Sequence, residues 1–429
     1  MDKSQIKLTK ESHRALDLME KSSGHIFLTG RAGTGKSTLL QHFRETTTKK
    51  IVVLAPTGVA AVNVHGQTVH SFFGFGPDIT PETVKRSGGK KRIMYRNLDA
   101  IVIDEISMVR ADLLDAVDAF LRLNGENPDD PFGGVQMILI GDLYQLPPVV
   151  REEDRELFTT RYPGAYFFDS KVCKNLPIRF IELTKVYRQQ DKKFIEVLDA
   201  IRTDTATKAH IELLNSRYTR EVPKNNEEFS VYLTTTNRMA DEINFAELNK
   251  LPSRAVRVRG RVFGDFPEKQ TPASVEIALK EGAQVMMVNN DPSARWVNGD
   301  IGKIVRIQTS PESEIKVELA NGKTHRLRPH SWEYIKFEYD RTEDKIEPKT
   351  IGTFTQYPVR LAWAVTIHKG QGKTYDRVVV DFGTGTFAHG QAYVALSRAT
   401  TLEGLVLKRP LQERDIFIDP RISEFLGRF

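Results

Sequence analysis

The chain has 429 residues, 40% of them hydrophobic and 28% charged, with a formal charge of +6. That length predicts two to four domains, and the basic surplus leans toward a polyanionic partner without identifying one. The single cysteine, Cys173, excludes within one chain a disulfide framework, a cysteine zinc site and an iron–sulfur cluster. It reads as a small apolar core residue.

The N-terminus, MDKSQIKLTKES, has neither a signal-peptide core nor arginine-rich transit character, and the apolar runs are strand-length. The expectation is an intracellular, cytoplasmic protein, nucleoid-associated in a bacterium, with no membrane partner. Short β-branched runs then alternate with helical patterns. His25–Thr29, Ile51–Ala55, Ala100–Asp104 and Gln136–Ile140 read as buried parallel strands, with helices at Ser37–Phe43 and Ala111–Leu123 between them. A similar pattern restarts near Phe180–Leu183, with a helix at Lys193–Arg202, a strand at Val231–Thr234 and a helix at Ala240–Lys250. From about 251 to 350 the text turns to short alternating strands: Ala255–Val262, Ala283–Val288, Ile301–Ile307, Ile315–Leu319 and Thr324–Leu327. Asn298-Gly299 and Asn321-Gly322 are hairpin signals between them. This reads as a small β-barrel inserted into a second α/β domain. That domain resumes with Arg377–Asp381, the helix Gly390–Ser397 and the strand Gly404–Lys408. Lys85–Arg92 reads as an exposed loop.

Gly30-Arg31-Ala32-Gly33-Thr34-Gly35-Lys36-Ser37 matches G-x-x-x-x-G-K-[ST] between a strand and a helix. Its backbone N–H groups and the following helix N-terminus suit the phosphates of ATP, contacted by Gly30, Ala32, Gly33, Thr34, Gly35, Lys36, Ser37 and Thr38. Lys36 is expected to reach the β and γ phosphates, and the Ser37 hydroxyl to ligate Mg²⁺. Asp104 and Glu105 end a buried strand, where the first can hold Mg²⁺ and the second can orient and deprotonate the attacking water. In Gly141-Asp142-Leu143-Tyr144-Gln145-Leu146-Pro147-Pro148, Gln145 suits a γ-phosphate sensor. On local sequence alone, a proline-stiffened turn carrying a surface glutamine fits equally well.

GRAGTGKS, APTGVAA, IDEISM and GDLYQLPPV, in that order, resemble motifs of superfamily 1B helicases, and more narrowly of the PIF (petite integration frequency) family. The stretch from Asp112 to Gln136 resembles that family's signature, and LTKVYRQQ, AWAVTIHKGQGKTYD and AYVALSRATTLEGL resemble its later motifs. The resemblance implies an α/β fold of two RecA-like P-loop domains. The first spans 1–178 with a small insertion at about 68–97. The second spans 179–250 and 351–429, interrupted at 251–350 by a Src-homology-3-like barrel. It implies that Arg188 and Arg398 are arginine fingers, worth about 10³–10⁵ in rate each. It also places Gly372, in the turn Gly370-Gln371-Gly372, where nucleotide and strand are coupled. In one place the chain departs from the family: Ser12 stands where a glutamine that reads adenine is usual.

Thr57 and Gly58 open a helix whose hydroxyl and free N–H groups suit a strand phosphate or, equally, a routine cap. His70, Ser71 and Phe72 lie on a glycine-flanked loop, where Phe72 could stack on a base for about 1–3 kcal/mol. By the resemblance, Thr235, Asn237, Thr366 and His368 hold the corresponding places in the second domain, with a core or capping histidine as the alternative for His368. Arg257-x-Arg259-x-Arg261 puts three guanidiniums on one strand face, for backbone contact or as a solvated edge. The partners expected are single-stranded DNA and single-strand/duplex junctions, possible G-quadruplexes and R-loops being implied by relatives, as is 5′-to-3′ travel by a monomer. Two rival readings remain open: an RNA or RecD-like motor on the same chassis, and a nucleotide-binding switch that does not translocate.

Overall fold

A computed structural model describes residues 9–76, 78–150, 152–189, 191–221, 229–308 and 314–429. The first sheet is built from β1 (His25–Gly30), β2 (Ile51–Ala55), β3 (Gln67–Thr68), β4 (Ala100–Ile103), β5 (Gln136–Ile140) and β6 (Ile178–Leu183). All pairings are parallel, in the order β3-β2-β4-β5-β1-β6. Its strands are apolar on both faces, as a sheet covered by helices on each side requires. Phe27, Leu54, Ile101, Ile103 and Leu139 face one core, which holds the helix Ala111–Asn124. Ile26, Leu28, Val53, Val102 and Ile138 face the other, under the helices Lys10–Lys21 and Lys36–Thr46.

One expectation is corrected here. The run Phe180–Leu183 does not open the second α/β unit: β6 pairs with β1 from His25↔Ile178 to Gly30↔Leu183 and is the edge of the first sheet. The second sheet starts with β7 (Val231–Thr234), after the helices Lys192–Arg202 and Lys208–Asn215.

The β-rich insertion follows. It comprises β8 (Val256–Arg259), β9 (Arg261–Gly264), β10 (Glu276–Leu279), β11 (Gln284–Met287), β12 (Ile301–Gln308), β13 (Glu314–Leu319), β14 (Thr324–Leu327), β15 (His330–Asp340), β16 (Lys345–Gln356) and β17 (Val359–Leu361). These form three antiparallel sheets, β10-β8, β14-β13-β12-β11-β17 and β15-β16-β9, around one core that includes Phe266, Trp296, Trp332 and Phe354. A boundary at 350 cuts β16, and β17 closes against β11, so the β-rich unit runs on to Leu361. The predicted strand Ala255–Val262 breaks at Gly260, where a Cβ would lie 2.7 Å from the Phe354 ring, and its halves join different sheets.

β18 (Ala364–Thr366), β19 (Val378–Asp381) and β20 (Leu405–Leu407) then complete a parallel sheet in the order β18-β7-β19-β20. The loop expected at Lys85–Arg92 is partly the helix Gly89–Arg96. Among the described residues no helix is long and apolar enough to cross a membrane.

The chain finally returns to the first unit. In the helix Pro420–Leu426, Ile422 and Phe425 enter the core of the first sheet. There Phe425 stacks on Phe168 at 4.5 Å, and Phe429 stacks on Phe180 at 4.9 Å. Phe425→Ala should therefore destabilise the first α/β unit by about 3–5 kcal/mol, read as a lowered midpoint of its denaturant transition.

Candidate active site and nucleic-acid track

The phosphate loop follows β1, where the chain must turn sharply to begin the helix Lys36–Thr46. Gly33 and Gly35 take φ of +79° and +88°, a region open to glycine at little cost. At Gly33 there is a second demand: a Cβ would lie 2.5 Å from the Cβ of Arg188. The Tyr187 amide donates to Gly33 O at 2.9 Å. The segment after β6 thus lies directly on the loop.

Lys36 Nζ donates to the carbonyls of Gly30 (2.6 Å) and Arg31 (3.0 Å). Burial lowers its pKa, opposed by the charges of Asp142 and Glu105. Ser37 and Thr38 are exposed at the mouth, and Ala32 N–H donates to the Tyr393 hydroxyl at 3.0 Å. Asp104 follows β4 and is buried, which raises its carboxyl above the ordinary value. Glu105 stands beside it at φ +52°, a strained conformation for a non-glycine residue. Desolvation, and then the Asp104 charge, push its pKa up to about 7.

Gln145 is buried after β5. Its amide donates to Asp142 Oδ2 and its Oε1 accepts from Gln371 Nε2, both at 3.2 Å. Gln371 Nε2 also lies 3.2 Å from Glu105 Oε2. Gln371 therefore bridges the acidic pair and Gln145 from the second α/β unit. The sequence reading named its Gly-Gln-Gly turn but assigned the glutamine no role.

Arg398 is 1% exposed, with its guanidinium held by Val394 O (2.8 Å), Lys373 O (3.1 Å) and Ser397 Oγ (2.7 Å). Burial, and then Arg188, depress its pKa to about 9. Arg188 Nη2 donates to Gly372 O at 3.0 Å, while its Nη1 is buried without a partner. The structure thus brings together Lys36, Asp104, Glu105, Gln145, Arg188, Gly372 and Arg398 around one cleft. An orphaned guanidinium nitrogen, a lysine resting on backbone carbonyls and two carboxyls of raised pKa fit a nucleoside triphosphate with a divalent cation. Among the described residues no three His, Cys, Asp or Glu side chains converge as a metal cage. Mg²⁺, which keeps waters and phosphate oxygens as ligands, does not need one.

The second set of residues lies at strand ends in both α/β units. Thr57 follows β2 and caps the helix Gly58–Asn63, accepting from Ala60 N at 3.3 Å. Thr366 ends β18 and caps Ile367–Gly370, accepting from Lys369 N at 3.3 Å. Of the run Thr235-Thr236-Asn237, which the resemblance names together, one residue is the cap, and a further position, Thr68, is missed by the sequence reading. Thr236, not the buried Thr235, caps the helix Asn237–Lys250, where Asn237 is exposed. Thr68 ends β3 and caps Val69–Phe73. The signal was present: Thr68-Val69-His70 repeats as Thr366-Ile367-His368, and β3 flanks β2 as β18 flanks β7. Burial lowers the pKa of His368.

Phe72 is a correction. It is 4% exposed, with its ring against Phe73, Tyr95 and Phe337, so it is a core residue and offers no face to a base. Its neighbour Ser71 shares a hydrogen bond with the Tyr334 hydroxyl at 2.7 Å. Arg257, Arg259 and Arg261 are all exposed, but the break at Gly260 puts Arg261 in a different sheet from the other two, and Arg257 pairs with Glu276 at 3.3 Å. The side chain of Gln270, from the insertion, covers Gly58: a Cβ there would lie 2.6 Å from Gln270 Cγ.

The family model for PIF1-like helicases matches residues 7–211. The ATP-dependent DNA helicase Pif1 of Bdellovibrio bacteriovorus is 32% identical over 99% of this chain and 93% of its own length. This chain belongs to the PIF1-like helicase family. Bacteroides sp Pif1 in complex with ADP-AlF4 superposes with a TM-score of 0.91 at 34% identity, covering 99% of this chain and 97% of that one. Bacteroides Pif1 bound to single-stranded DNA, with the same identity and coverage, gives 0.71. This PIF1-like chain therefore has the lobe arrangement of the first of those structures.

The shift on Glu105 has a direction that can be measured. Were Glu105 to accept a proton during ATP hydrolysis it would have to be a carboxylate, so kcat/KM for ATP should then rise with pH through about 7, the value to which Glu105 is pushed. The folded chain holds that proton between its ordinary 4.5 and about 7, so this group's contribution to stability falls as pH rises through the same window. A pH–rate profile flat from 5.5 to 8.5, on the order of the window set by that shift, would remove Glu105 as the base.

Proposed function

We propose that this chain is an ATP-dependent DNA helicase that moves along single-stranded DNA from 5′ to 3′ as a monomer and unwinds forks, R-loops or G-quadruplexes. Such activities serve replication, repair and recombination. The observation that carries the reading is the approach of Arg188 to the Lys36 loop, with its Nη1 buried and unpartnered and with Arg398 buried within reach of the charges of Arg188 and Glu105. Two RecA-like units and an insertion of Src-homology-3-like kind belong to the same proposal.

In this reading Lys36 exchanges the carbonyls of Gly30 and Arg31 for phosphate oxygens, with Gly30, Ala32, Gly33, Thr34, Gly35 and Thr38 lining the cradle. Ser37 and Asp104 hold Mg²⁺, which neutralises phosphate charge. Glu105 accepts the proton of the attacking water, and Gln145 orients that water beside the γ-phosphate. Arg188 and Arg398 stabilise the charge that develops on the transferring group, in a cleft of low dielectric where such contacts are strong. Gly372 carries the backbone that Arg188 grips. Because Arg398 comes from the second lobe and the cradle from the first, with Arg188 on the segment that joins them, turnover opens and closes the cleft.

Thr57, Gly58, His70, Ser71, Thr235, Asn237, Thr366 and His368 provide the strand contacts at the strand ends of the two lobes, and Arg257 and Arg259 contact the backbone from the insertion. These hydroxyls, N–H groups and cations address phosphates rather than base edges, so binding is independent of sequence. Gln270 over Gly58 is an arrangement in which the first-lobe end of this track is covered.

Lys36→Ala should abolish turnover while single-strand binding persists, and Arg398→Ala should lower kcat by about 10³ with little loss of nucleotide affinity. The deciding experiment uses duplexes with either a 5′ or a 3′ single-stranded tail. Unwinding of the 5′-tailed substrate alone is expected. ATPase stimulated by RNA as well as by DNA would overturn the choice of DNA, and turnover without unwinding would favour a switch.

A further inference from the structure

The segment Asp142–Leu146 belongs by chain to the first lobe but is held by the second. Leu146 is fully buried in the second lobe's core, beside Phe194, Leu198 and Tyr393. Gly390, at φ +69°, approaches so closely that a Cβ there would lie 2.3 Å from Tyr144 O. Arg202 ends the helix Lys192–Arg202 of the second lobe and is 5% exposed. Its guanidinium stands 4.4 Å from the centroid of the Tyr144 ring and donates from Nη2 to Asp142 Oδ1 at 3.2 Å. Asp142 has no exposed surface and spends its remaining capacity on the Tyr144 amide and the Gln145 side chain, each at 3.2 Å.

We propose that Arg202 is a positioning residue for ATP hydrolysis, acting across the lobe interface through Asp142 to set the Gln145 side chain beside Glu105. A buried ion pair gains little stability over apolar packing, but it fixes geometry, and removing one partner leaves an uncompensated charge. Here the fixed geometry ends on Gln145, whose other contact is the Gln371 bridge to Glu105. Lobe orientation is thereby read directly at the catalytic carboxylate. The proposal rests on the reading of Gln145 as the residue that orients water.

The test uses the full chain with saturating oligothymidylate. Arg202→Met should lower kcat by about tenfold or more while KM for ATP moves by less than about threefold, and Arg202→Lys should restore part of the rate. In the Arg202→Met background, Gln145→Ala should cost little further, because both act on one geometry. If Arg202→Met does not fold, Asp142→Asn, which keeps the side-chain shape and removes the charge, carries the same comparison. Additive losses in the double variant, or an intact kcat in a folded Arg202→Met or Asp142→Asn, would overturn the proposal while leaving Gln145 in its role. An unchanged rate for Gln145→Ala alone would remove that role and this proposal with it.

Discussion

Charge of both signs is buried at the seam between the two α/β lobes, and neither lobe satisfies its share alone. The first contributes Lys36, Asp104, Glu105 and Asp142, the second contributes Arg202 and Arg398, and the segment that joins β6 to the helix Lys192–Arg202 carries Arg188. Burial disfavours the charged form of each group. The displacements are visible as a lysine and an arginine pushed down and two carboxyls pushed up. Of these groups, Arg202 and Asp142 are matched within hydrogen-bond reach, and at the rim of the seam Arg31 pairs with Asp199 at 2.9 Å. The others stay only partly compensated, which is the condition of a site prepared for a polyanion and a cation.

The same seam explains why the strand-binding residues and the nucleotide residues share a scaffold. In an open parallel sheet, ligands collect at the carboxyl ends of the strands. β1, β4 and β5 deliver the phosphate loop, Asp104 and the Asp142–Leu146 segment; β2, β3, β7 and β18 deliver Thr57, Thr68, Thr236 and Thr366. Gln371 lies five residues beyond Thr366 and touches Glu105. Between a capped strand end and Glu105 there is thus one short helix and a turn. The insertion touches the first lobe in several places, among them Asn298 Nδ2, which donates to Asn63 Oδ1 at 3.0 Å. Gln270 lies over Gly58, and the β15–β16 hairpin sets Phe337 on Phe72 and pairs Asp344 with Lys50 at 2.7 Å.

What could be read from the residues was what local chemistry determines. The phosphate loop, the acidic pair and the strands Ile51–Ala55, Gln136–Ile140, Val231–Thr234 and Thr324–Leu327 are all local patterns, and these strands have the bounds read from the sequence. The failures are of another kind. Phe180–Leu183 is a strand in either sheet, and only its pairing with β1, some 150 residues earlier by the register His25↔Ile178, decides which. Arg257, Arg259 and Arg261 alternate as one strand would, but the Phe354 ring, brought from far along the chain, requires glycine at 260 and divides the run. Phe72 looked available for stacking because glycines flank it; Phe337 and Tyr95, which cover it, come from elsewhere. The sequence reading places no strand at the hairpin β15–β16, where a bulge between Tyr334 and Ile335 throws Trp332 and Tyr334 out of phase with Ile335, Phe337 and Tyr339 and breaks the period of two.

Arg188 shows how far a motif can go and where packing must take over. Its neighbours in sequence mark it as a finger, but they do not explain why the loop it faces has glycine at position 33. The structure supplies the reason: loop and arginine approach until no side chain fits between them, and Tyr187 N–H bonds to the loop's own carbonyl. An arginine on a flexible arm would lose side-chain and backbone entropy each time it entered the site. Here β6 is zipped to β1, and the residues after it are already laid against the cradle. What remains for Arg188 to gain is a partner for Nη1, which is buried beside the loop without one.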